Sequence, residues 1–201
     1  WLPLICTMNV TSATTRVREL FGLDLATFGE QVASAPIGAD GVTVLPFFNG
    51  ERVPMLPDAT GDFLGLTSLN MTQANLCRGV MEGATFGLRY GLELLGELAA
   101  GTSQIRLIGG GAKSPVWRQM VADITNTQVI CPEITDAAAL GAAIQAAWCD
   151  LQPEGVSLAS LCERLVHLDA ASLAEPDAER VAAYEGAYQR YLAALGQRHS
   201  L

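Results

Sequence analysis

Residues 105–148 hold the segment that most limits what this chain can fold into. Ile105-Arg-Leu-Ile108 runs into Gly109-Gly110-Gly111, followed by Ala112-Lys-Ser-Pro115 and a helix-forming stretch to Asn126. A short apolar piece, Gln128–Cys131, and an Ala-rich segment opened by Asp136 come next. The order strand, turn, helix, strand, helix is that of an α/β layered domain. Consecutive glycines expose bare backbone N–H groups, and the following helix adds the positive end of its dipole. Such a turn suits a phosphate or a nucleotide, and equally a tight structural corner.

The rest of the chain is read around that segment. Ser12 opens a helix over 12–21, and Asp24 caps a second over 25–34. Residues 41–45 read as a strand leading into a long loop, Pro46 to Gly61, with a second short extended piece at 63–66. Thr72 caps a long helix over 73–100 that Gly101 closes. Strands at 105–108 and 128–131 alternate with helices at 115–126 and 137–149. Further helices span 157–166 and Pro176 to Gln197. These strands are few for so many helices. Either more lie within 41–67 or part of the sheet lies outside this chain.

Inside the long helix, Gly79, Gly83, Gly87 and Gly91 recur every four residues. Each costs about 0.8–1 kcal/mol relative to Ala, so the set costs roughly 3–4 kcal/mol that close packing must offset. The ladder is therefore expected to receive another backbone, not a ligand. Tyr184, Tyr188 and Tyr191, with Val181, Leu192 and Leu195, form a packing stripe on the last helix.

Twelve basic against twenty-one acidic residues give a net charge of −9 with no basic cluster, which argues against a nucleic-acid partner. Five scattered cysteines without a C-x-x-C read as buried free thiols in a reducing, cytoplasmic setting. With only His167 and His199 besides, no metal site is expected from the protein's own side chains. No apolar run reaches the roughly 18–20 residues of a membrane span. Trp1-Leu-Pro-Leu, without an initiator Met, reads as the interior of a longer protein.

Two nucleotide motifs fail on specific residues. A P-loop needs glycine where Ala112 and Leu107 stand. A dinucleotide fingerprint laid over 109–114 ends on Ser114, and no acidic residue closes the next strand to hold a ribose.

Three segments together carry a resemblance. The first is Leu45-Pro-Phe-Phe-Asn-Gly-Glu-Arg-Val-Pro54. The second is Gly61-Asp-Phe-Leu-Gly-Leu66 with Asn75-Leu-Cys-Arg-Gly-Val-Met-Glu82. The third is Leu107–Asp123 with Ala139-Leu-Gly-Ala-Ala143 downstream. In order and spacing they resemble the C-terminal half of FGGY-family carbohydrate kinases, over about Trp1 to Tyr191; Gly79 departs from the Ala or Ser usual there.

The resemblance implies an actin-like, ribonuclease H-like ATPase fold, of which residues 1–201 form the C-terminal, nucleotide-side domain with part of its sheet elsewhere. It also implies transfer of the ATP γ-phosphate, with Mg²⁺, to a ketose. The loops are most similar to members that convert D-xylulose to D-xylulose 5-phosphate, with gluconate-phosphorylating members next. Gly109, Gly110, Gly111 and Ala112 would hold the nucleotide, and Thr11 falls near another nucleotide contact. The family's general base lies in a segment before this chain begins, so no residue here is assigned catalysis and the isolated chain is expected to be inactive. A sugar, ATP and a second copy of the chain are the implied partners, with no nucleic acid and no membrane. A non-catalytic nucleotide-binding or interaction module is the reading from another class.

Other residues are read more plainly. Glu51 and Arg52 could face a cleft but fit a local anchor better, and Lys113 is expected in solvent. Trp117 could wall a base pocket or belong to the core. Glu82 and Asp123 are read as structural partners.

Overall fold

The computed structural model describes residues 3–201. The organising element is α3 (Gln73–Leu94), whose N-cap Thr72 accepts the Asn75 N–H at 3.2 Å, as the sequence pattern requires. Two shorter helices pack on it, α1 (Thr11–Leu20) and α2 (Leu25–Ser34). Asp24 caps α2 as expected. Ser12 does not open α1: Val10 stands at the N-cap without a side-chain cap, and Ser12 Oγ donates to Met8 O instead.

On another face of α3 lies a two-stranded antiparallel sheet of β1 (Thr43–Leu45) and β2 (Asp62–Leu64), with Val44 opposite Phe63. The glycine ladder receives it. A β-carbon at Gly79 would stand 2.9 Å from Val44 Cγ2, and one at Gly83 would overlap the Val44 carbonyl oxygen. The helix ends at Leu94, short of the expected residue 100, because Gly96 turns left-handed (φ 52°) and a 3₁₀ turn, Gly96–Leu98, follows.

The second sheet is mixed. β3 (Gln104–Arg106) runs parallel to β4 (Gln128–Pro132), and β5 (Leu168–Ala174) pairs antiparallel to β4. The strand that the sequence pattern leaves out is β5, at 168–174 and not within 41–67. Between β3 and β4 come a 3₁₀ turn, Gly110–Lys113, and α4 (Pro115–Thr125). After β4 follow α5 (Ala137–Leu151), capped by Asp136, and α6 (Leu158–Leu165). The last helix, α7 (Ala178–His199), starts later than Pro176 because Asp177 caps it, accepting the Glu179 and Arg180 N–H groups.

The tyrosine stripe docks α7 as expected. Tyr184, Tyr188 and Tyr191 are buried around Phe86 of α3, with ring centroids 6.3, 5.6 and 5.5 Å away. The five cysteines are free, but only Cys77 is buried; Cys6 and Cys149 are exposed, which corrects the expectation of buried thiols. Burial pushes the Cys77 thiol up to about 11. No described helix is long and apolar enough to cross a membrane.

Candidate functional site

A groove of about 610 Å³ opens between α1, α2 and the glycine turn. Helical periodicity builds two of its walls. Thr11, Thr14, Thr15 and Arg18 recur at three- and four-residue steps and so share one face of α1, while Ala13 and Val17 are buried on the other side. Ala26, Gly29, Glu30 and Ala33 repeat that spacing on α2, where Val32 is buried in the core and Phe28 backs the groove.

The third wall is the turn and the start of α4. Gly109 sits at φ 90°, ψ −172°, a conformation open essentially to glycine alone. The Ala112 N–H returns to Gly109 O at 3.2 Å and the Ser114 N–H to Gly111 O at 3.1 Å. The N–H groups of Gly110 and Gly111 have no protein acceptor among the described residues. Ser114 caps α4 by accepting the Trp117 N–H at 3.3 Å, and Pro115 occupies the first helical position. The positive end of an eleven-residue helix therefore meets the groove beside Lys113.

Trp117 is both core and wall. It is buried, its Nε1 donates to Thr85 Oγ1 at 3.0 Å, and its ring lies 3.2 Å from where a Gly111 β-carbon would stand. That ring keeps Gly111 bare. The same absent β-carbon would lie 3.7 Å from Thr11 Cγ2, so α1 and the turn meet here.

The structure brings Thr11, Gly110 and Gly111 together in this groove. It sets Gly109 and Ala112 apart, on a second, smaller groove of about 280 Å³ shared with Leu107, Cys131, Asp169 and Ser172. Ala112 is buried, and its carbonyl accepts from Arg118 Nη1 at 2.8 Å. Lys113 borders both grooves.

Glu51 is a buried anchor. Its Oε1 accepts the Met8 and Arg52 N–H groups at 2.7 Å each, tying the 45–54 loop to the segment that enters α1. Glu82 accepts the Gly38 N–H at 3.0 Å and Arg78 Nε at 2.7 Å. Burial raises its carboxyl above the usual carboxylate range, with Arg78 opposing that shift. Asp123 accepts the Asp177 N–H and pairs with Arg180 at 3.3 Å. All three side chains hold elements together. Thr15, Arg18 and the α2 wall escape the motif reading, although their three- and four-residue spacing is visible in the sequence.

The model for the C-terminal domain of the FGGY family of carbohydrate kinases matches residues 10–149, more than half the chain. The chain belongs to that FGGY family. A xylulose kinase of Haemophilus influenzae is 52% identical over 197 residues, covering 98% of this chain and 39% of the relative. A solved xylulose kinase from Bifidobacterium adolescentis is 36% identical with a TM-score of 0.73, covering 92% of this chain and 36% of that one. A ligand-bound xylulose kinase from Lactobacillus acidophilus reaches a TM-score of 0.86 at 23% identity, over 95% of this chain and 38% of that one, which shows the shared fold. That fold is the actin-like ATPase fold of FGGY kinases. The chain spans about two fifths of the length of the Haemophilus relative.

Proposed function

We propose that this chain is the nucleotide-side lobe of an ATP-dependent sugar kinase that phosphorylates D-xylulose, with the sugar-binding lobe and the general base in residues before Trp1. The observation that carries the reading is the groove at 610 Å³, where two unpartnered backbone N–H groups, Lys113 and the start of α4 meet walls from α1 and α2. Anionic groups of a nucleotide suit the donor end, and a flat apolar base suits the remainder. The name of the Haemophilus and Bifidobacterium relatives supports xylulose as acceptor. The resemblance of the 45–54 loop to gluconate-phosphorylating members makes gluconate the acceptor to test against it.

Phosphoryl transfer rests on positioning and charge neutralisation. Gly110 and Gly111 hold the inner phosphates, Thr11 and Thr15 offer hydroxyls along the same wall, and Trp117 keeps the turn rigid. Among the described residues no three His, Cys, Asp or Glu side chains gather to hold a metal ion. Mg²⁺ bound with the nucleotide would supply charge neutralisation at its phosphates. The cytoplasmic setting rests on the five free cysteines, and a homodimer on the family resemblance alone.

The test is the complete protein assayed for ATP-dependent phosphorylation of D-xylulose and gluconate. D-Xylulose is expected to be preferred, and the 201-residue chain alone to show no turnover. Gly110→Ala puts a methyl group into open groove space, so the melting temperature should hold while KM for ATP rises about tenfold. A KM that does not move would remove the turn from the ATP site.

A further inference from the structure

Arg18 closes the polar stripe of α1 at the end away from the glycine turn. It stands seven residues beyond Thr11, about 10 Å along the helix axis at 1.5 Å per residue. Its Nη1 donates to Leu23 O at 3.0 Å, which pins the guanidinium against the corner between α1 and α2. Its Nε is buried with no partner, and no carboxylate lies within ion-pair distance of it among the described residues. Among the described residues, Nη2 makes no protein hydrogen bond. A pinned, half-buried cation with a spare donor thus forms part of the groove wall, together with Leu25, Ala26 and Phe28.

The buried unmet donor is Nε, while Nη2 is free to meet a ligand. The fork has already lost freedom of rotation to Leu23, so less is lost when Nη2 binds an acceptor. The spacing matters here. With phosphates at Gly110 and Gly111, a ligand laid along α1 brings its base and ribose to Arg18, whereas its phosphates stay one helix face-length away. We propose that Arg18 holds the base end of the nucleotide, Nη2 donating to an acceptor atom on the edge of the base. The inference rests on the groove being the nucleotide site, and adds which residue positions its far end.

Isothermal titration of the complete protein with ATP and with inorganic triphosphate separates the possibilities. Arg18→Met should weaken ATP about tenfold or more and leave inorganic triphosphate within about twofold. Arg18→Lys keeps the charge without the fork, so ATP should stay weaker than wild type while triphosphate is unchanged. Thermal melts of both variants check the Leu23 contact. ATP binding by Arg18→Met equal to wild type overturns the assignment. Equal losses of ATP and triphosphate overturn it as well, because Arg18 would then be a general anion attractor. If the wild-type protein binds no ATP, the nucleotide reading itself falls; an indifferent Arg18 variant of an ATP-binding protein sinks only the base-end role.

Discussion

Two sets of glycines in this chain lack a side chain for opposite reasons. Along α3, a β-carbon at Gly79 or Gly83 would press into β1, and one at Gly91 would run into Ile5. At the turn, a β-carbon on Gly109 or Gly110 would meet nothing within 4 Å. The first set is bare so that the fold can close on itself. The second is bare although the fold leaves room: at Gly109 the backbone conformation requires it, and at Gly110 no packing does. The space above a glycine thus separates a bare turn from a packed one, and Gly111, closed by the Trp117 ring, stands with the packed kind.

Gly83→Ala should give the largest break in this contrast. The added carbon overlaps a backbone carbonyl that cannot swing aside, so the cost of overpacking exceeds the helix-propensity gain of about 1 kcal/mol. A net loss of about 3 kcal/mol lowers the melting temperature by about 6–12 °C in a chain of this size. Thermal unfolding followed by circular dichroism measures it. A loss below about 1 kcal/mol would mean that β1 does not bear on the helix at that point.

Gly109→Ala comes next, and it acts through conformation alone. Its surroundings are open, yet φ 90° with ψ −172° strains any residue with a β-carbon by about 1–3 kcal/mol. Urea denaturation of Gly109→Ala beside Gly110→Ala sharpens the comparison, since the second substitution should leave the midpoint in place. Equal stability of the two variants would show that the turn relaxes and that Gly109 has no special task.

How much of this was legible beforehand follows from which signals are local. The Thr72 and Asp24 caps are read from a few adjacent residues and the ladder and tyrosine stripe from i+3 and i+4 spacing, and all stand where the pattern puts them. β5 was missed because Leu168-Asp-Ala-Ala-Ser-Leu-Ala174 holds no β-branched or aromatic residue; its pairing with β4 makes it a strand. The family was legible from motifs spread over 45–143, and the match over 10–149 bears it out. The site was legible only in part. Motif reading led to the turn, but the groove is completed by the 11–14–15–18 and 26–29–30–33 stripes, which share no motif. Their facing arrangement depends on both helices packing on α3, a tertiary fact.

The smallest effect is the one that tests whether the ladder is uniform. At Gly87 a β-carbon would find Tyr191 Oη at 3.7 Å, an ordinary contact, and no backbone nearby. That hydroxyl is buried without a partner among the described residues, so a methyl group beside it displaces no hydrogen bond there. Gly87→Ala should therefore keep the packing and gain helix propensity, about 0.5–1 kcal/mol, or about 1–4 °C in the melting temperature. The sign is what matters. Stabilisation at Gly87 together with destabilisation at Gly83 shows that the close approach under β1 does not extend along α3 to Gly87. A loss at Gly87 of the size expected at Gly83 would mean that α7 presses on the ladder as tightly as the strand does.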